Sequence, residues 1–341
     1  MMKRATSLFT ILIACLAAAI FSRCVTEDDF DNTPLGNFEA LWHLLDEHYC
    51  FFQEKADTYG LDWNTVHEKY RQYLTPSMTG EQLFEVCARM IRELRDGHVN
   101  LTSSFNVARY WDWFEKYPSN FSDSLLRKYL GTDYMLSAGM KYRILEDNIG
   151  YIYCGSFDQN IGSGNLNAIF TKLAICDGLI IDIRNNDGGL LSSAQSLAGC
   201  FTNQEITAGY MAHKTGPAHN AISSLEPVKL KPAEGMRWQK RAVVLTNRST
   251  FSAANALAMY ARACPKVILM GAKSGGGAGM PFHAELPNGW SLRFSACPMY
   301  DSDKQSAEEG IEPDIAVNMT AEDLIVGRDN IIETARAYLR Q

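Results

Sequence analysis

Three short apolar runs, each followed by turn residues, constrain the fold of this chain more than any other feature. They are residues 178–183, 242–245 and 267–270. Continuous apolar runs of this length are typical of strands that are buried on both faces of a sheet. Helical patterns follow the first two runs, over residues 190–201 and from Ala256 onward. The sequence therefore predicts an α/β (α+β) fold built around buried strands.

The turn after the second run places Ser252 at the mouth of a predicted helix. Residues 247–255 read NRSTFSAAN. Free backbone N–H groups and the positive end of the helix dipole meet at such a position. They suit a hydroxyl that attacks a carbonyl carbon and an oxyanion that must then be held. The alternative is that Ser249, Thr250 or Ser252 only caps the helix, and this stretch alone leaves both interpretations open.

A glycine pair, Gly188 and Gly189, follows the first run in the sequence RNNDGG. Glycines at a strand-to-helix turn permit positive φ and let backbone N–H groups approach a ligand closely. This pair is a candidate for half of an oxyanion hole. The alternative is a tight turn that needs glycine for its shape alone.

His98 follows Asp96 and Gly97 at the predicted end of a helix. A histidine at such a junction can act as a general base near neutral pH, or it can simply be solvated. The next segment, residues 102–140, is rich in aromatic side chains without a clear period. It fits either a peptide cleft or a buried core.

The segment from residue 35 to residue 95 has the apolar spacing of helices. One helix is predicted to run to residue 52, a second to begin at Asp62, and a third to begin at the capping-box pattern Thr79-x-x-Gln82. Further along, the pattern predicts strands at 141–145, 149–153, 282–286 and 290–296, and helices at 166–175 and 320–339.

The first 23 residues are typical of a secretory signal. Lys3 and Arg4 precede an apolar run at 8–21 that is too short to cross a bilayer comfortably. Cys24 follows at the position expected for lipid attachment, and residues 24–34 form an acidic tether. These features predict a protein of the bacterial cell envelope, either lipid-anchored (outer membrane) or periplasmic after ordinary cleavage.

The charge of the chain limits its partners. Removing residues 1–23 removes Lys3, Arg4 and Arg23, so the net charge falls from -7 to about -10. An acidic mature protein argues against nucleic acid and anionic lipid as partners. The expected membrane contact is therefore only the N-terminal lipid anchor.

No pattern in the sequence points to a metal or a cofactor. Seven cysteines remain after Cys15 and Cys24, without a CxxC pair, and they are interpreted as small buried side chains with at most one or two disulfides. Lys273-Ser274 resembles part of a phosphate loop, but Val267 stands where the first glycine is required. None of the cysteines stands at a glycine-flanked turn, so a cysteine hydrolase is disfavoured.

Four stretches in this order resemble the tail-specific protease family, the serine peptidases that include C-terminal processing proteases and the tricorn core. They are Asp96-Gly97-His98 and residues 179–189, 243–255 and 310–317. The resemblance implies an N-terminal helical bundle, residues 35–97, followed by a ClpP/crotonase-like β-α-β catalytic core, residues 98–341. The N-terminal segment also resembles the signal of bacterial lipoproteins, although Arg23 stands directly before Cys24, where a small residue is usual.

The resemblance also implies catalytic roles. Ser252 would be the nucleophile, and its oxyanion would be held by backbone N–H groups of Ala253 and of the Gly188-Gly189 turn. In C-terminal processing proteases a lysine is the partner of this serine. Gly277 stands at the position of that lysine here, and Lys273 is the nearest lysine. The glycine loop 275–279 is instead similar to the tricorn-like branch, in which a histidine is the base.

In that branch a late glutamate orients the histidine. His98 would then be the base, and either Glu308 or Glu309 would orient it. A serine usually precedes the histidine there, and Gly97 takes its place.

The predicted function is that of a cell-envelope serine endopeptidase that cleaves peptides or unfolded protein tails through an acyl-enzyme, without a cofactor. About 50 residues separate His98 from Ile149, fewer than a PDZ module needs, so no such module is expected. The alternative is a catalytically silent peptide-binding lipoprotein that keeps the protease fold.

Overall fold

The computed structural model describes residues 30–341 of the chain. The predicted signal, the proposed lipid site Cys24 and most of the predicted tether lie outside these residues. Within 30–341, no helix is both long enough and apolar enough to span a bilayer.

Four helices form the N-terminal region: α1 Pro34–His48, α2 Phe52–Tyr59, α3 Trp63–Arg71 and α4 Gly80–Arg92. The first predicted helix is therefore wrong in extent, because the backbone becomes extended at Tyr49 and a separate helix begins at Phe52. The other two starts are confirmed. The Asp62 carboxylate accepts hydrogen bonds from two N–H groups of α3, and the capping box between Thr79 and Gln82 is formed.

A seven-stranded sheet forms the centre of the rest of the chain. Its order is β13-β10-β9-β6-β5-β4-β3. The strands are β3 Met135–Ser137, β4 Met140–Ile144, β5 Ile149–Tyr153, β6 Gly178–Asp182, β9 Ala242–Thr246, β10 Val267–Gly271 and β13 Ile315–Ala316. Strands β5, β6, β9, β10 and β13 are parallel, and β3 and β4 add an antiparallel edge.

Helices cover both faces of this sheet, which explains its continuous apolar strands. Leu179 and Ile181 pack against α7 Ser163–Leu173, α8 Leu191–Ala198 and α9 Ala253–Arg262. Ile180, between them, points to the other face and packs against α6 Asp123–Leu130 and α11 Asn330–Leu339. Alternate side chains of β6 are therefore buried on opposite sides.

A second sheet, of six strands, packs against the N-terminal helices. Its order is β2-β1-β12-β7-β8, and β11 also pairs with β12. The strands are β1 Asn100–Thr102, β2 Val107–Ala108, β7 Ile206–Met211, β8 Glu226–Leu230, β11 Gly279–Glu285 and β12 Ser291–Tyr300. Leu101, Leu292 and Phe294 from this sheet share one hydrophobic core with α1 to α4.

Three details differ from the sequence-based expectation or refine it. The predicted C-terminal helix is two helices, α10 Ala321–Val326 and α11, because Gly327 adopts a left-handed conformation that ends α10. The seven cysteines of the described part are all free thiols, six of them buried and Cys297 partly exposed. The stretch between His98 and β5 forms β1 to β4, α6 and the short helix α5 Asp112–Glu115, with no separate module.

A buried ion network attaches α11 to the sheet. The Arg184 guanidinium, at the end of β6, pairs with Asp182 at 2.7 Å and with Asp329 at 2.9 Å. Asp329 also caps α11, because its other carboxylate oxygen accepts from the N–H groups of Ile331 and Ile332. All three charged side chains are almost completely buried.

We expect Asp329→Ala to lower the free energy of unfolding by about 3–5 kcal/mol, because it removes the cap and leaves the Arg184 charge short of a buried partner. Urea denaturation measures this. Asp303→Ala, at an exposed carboxylate, is the control and should stay within about 0.5 kcal/mol of the parent protein. Equal losses in the two variants would contradict this account.

Candidate active site

Ser252 stands in a strained turn between β9 and α9. Its backbone has φ +57° and ψ -120°, a conformation that residues other than glycine rarely adopt. The Ser252 N–H donates to the carbonyl of Gly276 at 2.9 Å, and the neighbouring Phe251 N–H donates to the carbonyl of Asn186 at 2.9 Å. The Ser252 hydroxyl makes no capping hydrogen bond to α9. The strained turn therefore leaves this hydroxyl free of a capping role.

The His98 ring lies directly against that hydroxyl. Its Nε2 is 3.0 Å from Ser252 Oγ, although 154 positions separate the two residues in the chain. The backbone N–H of His98 donates to Asp96 Oδ1 at 2.7 Å, and this bond fixes the backbone at His98. The ring packs on Phe251, which in turn stacks on Trp113 with centroids 4.1 Å apart. This distance and packing are suited to direct proton transfer from serine to imidazole.

The surroundings of His98 keep its ring neutral. Burial lowers the pKa of His98 to about 4, and the Arg293 charge acts in the same direction while Asp96 opposes it. A neutral imidazole that accepts a proton at Nε2 carries its own proton on Nδ1. That Nδ1 is buried and has no hydrogen-bond partner among the described residues.

The carboxylate expected to orient His98 makes no hydrogen bond to its ring. Glu308 is buried, and its Oε2 accepts from the Ala278 N–H at 2.9 Å. Its Oε1 faces Lys55 Nζ at 3.7 Å, and Glu309 Oε1 lies 2.8 Å from the same nitrogen. Neither glutamate makes a hydrogen bond to the ring. The prediction of a direct contact is corrected because Lys55, a buried cation on α2, draws both carboxylates toward the helices.

Glu308 instead supports the loop that holds Ser252. Besides the Ala278 contact, its backbone carbonyl accepts from the Gly277 N–H at 3.1 Å. Burial alone would lower the pKa of Lys55, but the Glu308 and Glu309 carboxylates raise it above its usual value. A charged lysine therefore stays beneath the loop. The sequence does not indicate that Lys55 is buried here, because a single lysine in a short helical pattern is ordinary.

The unpaired backbone donors beside Ser252 differ in part from the expected set. The Gly188 N–H already donates to Asn186 Oδ1 at 2.9 Å. The N–H groups of Gly189 and Ala253 make no hydrogen bond to any residue in 30–341. A side chain at Gly188 would bring its Cβ to 2.8 Å from the Ser252 Cβ and to 3.0 Å from the Ala253 nitrogen. The available donors beside Ser252 are thus those of Ala253 and Gly189.

The structure separates both lysine alternatives from Ser252. Lys273 is partly exposed, pairs with Glu312 at 3.1 Å and is absent from the lining of the Ser252 cleft. At Gly277 a side chain would place its Cβ 2.3 Å from the Phe251 ring, and the backbone there has φ +71°. Phe251 therefore occupies the space that a lysine at this position would need.

Ser252 and His98 open into a cleft of about 400 Å³. Trp111 and Trp113 line it, so part of the aromatic segment 102–140 does face the cleft. A pocket of about 450 Å³ lies elsewhere, between α7, α8 and β8, and has no histidine or cysteine in its lining. In the described part of the chain, no group of three or more His, Cys, Asp or Glu side chains is placed to hold a metal ion.

Comparisons with known proteins show which family and fold this chain is similar to. Residues 148–317 match the model of peptidase family S41, and residues 30–92 match that of the tricorn protease C1 domain. A crystal structure of a candidate peptidase from Parabacteroides merdae is 45% identical, with a TM-score of 0.86, and the match covers 91% of this chain and 97% of that one.

Two more distant proteins are also similar. A carboxyl-terminal-processing protease from Picosynechococcus sp. is 29% identical over 146 residues, which is 42% of this chain and 32% of that relative. The match thus spans about a third of that relative's length. The structure of mature CPAF is 13% identical with a TM-score of 0.68, covering 90% of this chain and 96% of that one, and shows a shared fold.

The strain at position 252 can be measured with two variants that both lack the hydroxyl. Ser252→Gly should be more stable than Ser252→Ala by about 1 kcal/mol, because glycine adopts positive φ without a steric penalty while alanine keeps the strain. Urea denaturation of both variants gives the difference. A more stable alanine variant would show that the turn is not strained.

Proposed function

The chain belongs to peptidase family S41, the tail-specific proteases, and on this premise we propose that Ser252 and His98 are its nucleophile and general base. The family makes it a serine peptidase. The observation that carries the proposal is the 3.0 Å distance between Ser252 Oγ and His98 Nε2. The reaction is hydrolysis of a peptide bond in peptides or unfolded protein tails, at an internal site, through an acyl-enzyme.

In the first step His98 Nε2 takes the hydroxyl proton as Ser252 Oγ bonds to the scissile carbonyl carbon. The negative oxygen that results is held by the N–H groups of Ala253 and Gly189, assisted by the dipole of α9. The imidazolium then gives its proton to the leaving amine, and the C–N bond breaks. Water, deprotonated by the same imidazole, releases the acyl group.

The base works without a hydrogen-bonded carboxylate on its ring. Packing against Phe251 and the backbone bond to Asp96 hold the imidazole in place. The Asp96 charge favours the imidazolium that forms during the reaction, since it acts against the lowering of the pKa. Asp96 therefore stabilises the protonated ring through space.

We further propose that the protein works in the cell envelope. The support is the predicted signal at 1–23 and the predicted lipid site at Cys24, which would supply the membrane contact. The acidic chain fits a peptide or an unfolded protein as its partner, in place of nucleic acid.

Ser252→Ala should lower peptide hydrolysis by at least about a thousandfold and leave the melting temperature close to that of the parent, because only the nucleophile is lost. Casein and peptide mixtures are suitable substrates. Ser249→Ala, in the same turn, is the matched control and should keep its activity. A fluorophosphonate probe should label the parent protein and not Ser252→Ala. A folded parent that stays unlabelled and inactive would favour the silent peptide-binding alternative.

The pH dependence follows from His98. Because its pKa is lowered to about 4, the ring stays neutral and able to accept a proton as the pH falls through its usual value of about 6.5. We expect kcat/KM to decrease only as the pH falls through about 4. The measurement is kcat/KM from pH 3.5 to 8 on protein shown by circular dichroism to be folded at each pH. An acid limb near 6.5 would contradict the role of this buried imidazole.

A further inference from the structure

We propose that Asn100 is a positioning residue for the general base, because its side-chain amide oxygen accepts the hydrogen bond that His98 Nδ1 donates. This inference deepens the proposed function and rests on it. It joins two buried atoms that have no hydrogen-bond partner among residues 30–341, His98 Nδ1 and Asn100 Oδ1. One is a donor and the other an acceptor, so each supplies what the other lacks.

The backbone places both side chains on the cleft side of the second sheet. Val99 and Leu101 point into the core of the N-terminal helices. His98 and Asn100, which alternate with them, line the cleft that contains Ser252. Residues two positions apart on one face of an extended chain are neighbours, so the amide and the imidazole share the same polar side of this segment.

Two hydrogen bonds fix the direction in which the amide points. Asn100 Nδ2 donates to the carbonyl of His98 at 2.9 Å and to the carbonyl of Gly97 at 3.3 Å. Because only the NH₂ group can donate to a carbonyl oxygen, the nitrogen and oxygen of this amide cannot be exchanged. The amide is thus folded back onto the residue whose ring needs an acceptor, and Oδ1 is its unpaired end.

The carboxylates near His98 already accept other hydrogen bonds. Asp96 Oδ1 accepts from the backbone N–H of His98, and Asp96 Oδ2 accepts from the Ser295 hydroxyl at 2.8 Å. Glu308 Oε2 accepts from the Ala278 N–H. Asn100 Oδ1 therefore remains the unpaired acceptor on the cleft side of the ring.

The Tyr49 hydroxyl is the competing partner. It is also buried and has no hydrogen-bond partner in the described part of the chain. Tyr49, however, belongs to the apolar core into which Val99 and Leu101 point, on the opposite side of β1 from Asn100. This placement favours Asn100 over Tyr49.

An amide is a suitable acceptor for a base with a low pKa. When the ring takes the serine proton, both of its nitrogens carry N–H groups and share the positive charge. The Asn100 oxygen holds Nδ1–H before and after this step, which keeps Nε2 directed at Ser252 Oγ. Because the amide oxygen is neutral, it does so without the rise in the pKa of His98 that a hydrogen-bonded carboxylate would cause.

The first test locates the ring proton and does not require activity. Isotope-labelled histidine is incorporated, nuclear magnetic resonance detects the imidazole protons, and His98→Gln identifies the signal of His98. We expect a proton on Nδ1 that exchanges with water at least about tenfold faster in Asn100→Ala than in the parent protein. Asn100→Ser, whose shorter side chain also lacks the amide, replaces Asn100→Ala if the latter does not fold.

Tyr49→Phe is the matched control, since it removes the other unpaired buried oxygen. It should keep the parental exchange rate. An unchanged signal in Asn100→Ala, or faster exchange in Tyr49→Phe than in Asn100→Ala, would overturn the role of Asn100.

The charged groups around the ring define a second test, based on pH. Asp96 lies on the same segment as His98, and Arg293 acts on the ring from β12. Four further titratable side chains line the cleft: Arg109, Asp158, Asp187 and His283. All of these are unchanged in variants at position 100, so a shift of the acid limb reports the new side chain there.

Asn100→Ala should lower kcat for peptide hydrolysis by about tenfold to a hundredfold and leave KM within about twofold, because the lost bond supports the imidazolium. Asn100→Asp places a carboxylate beside the ring, which favours the imidazolium and raises the pKa of His98. The acid limb of kcat/KM should then move upward from about 4 by about one to three pH units. An acid limb that stays at the parental pH in a folded Asn100→Asp protein would contradict the proposal.

The two tests separate this inference from the proposed function. A parent that hydrolyses no peptide, but whose Nδ1 proton is protected by Asn100, would reject the peptidase proposal alone. A parent that hydrolyses peptides through Ser252, with an Nδ1 proton that is insensitive to Asn100, would reject the positioning role alone. A parent with neither property would reject both.

Discussion

Close approach of three backbone segments at the end of the parallel sheet determines the rest of this site. The turn after β9 is held on one side by the carbonyl of Asn186 and on the other by the carbonyl of Gly276. Side chains cannot fit between them, since a Cβ at Gly188 or Gly276 would lie within 3 Å of neighbouring atoms. The strain at Ser252 persists because the two flanking loops hold its backbone on both sides.

The N-terminal helices complete the site and do more than cover the sheet. They supply Lys55, whose ammonium group faces Glu308 beneath the glycine loop at 3.7 Å, and they end just before His98. The second sheet lies between the two regions, with an apolar face toward the helices and a polar face toward the cleft. One strand, β12, therefore contributes both to the stability of the helical region and to the charge of the cleft.

Much of this arrangement could be predicted from the sequence, because local patterns carried the information. Apolar runs predicted the buried strands, and the capping box predicted the start of α4. The pairing of Ser252 with His98 came from the family resemblance. The role of Glu308 was missed because its buried partner, Lys55, lies more than 250 positions away and stands in an ordinary helical pattern. The position of Arg293 on the polar face of β12 could have been predicted, because Ser291, Arg293 and Ser295 alternate with apolar residues.

The close approach of Gly277 to Phe251 limits which residues can occupy these two positions. A lysine in the glycine loop would collide with the phenyl ring that supports the imidazole, while a smaller residue at 251 would remove that support before any lysine was present. A side chain at position 277 therefore requires a smaller residue at position 251, so the two positions are coupled.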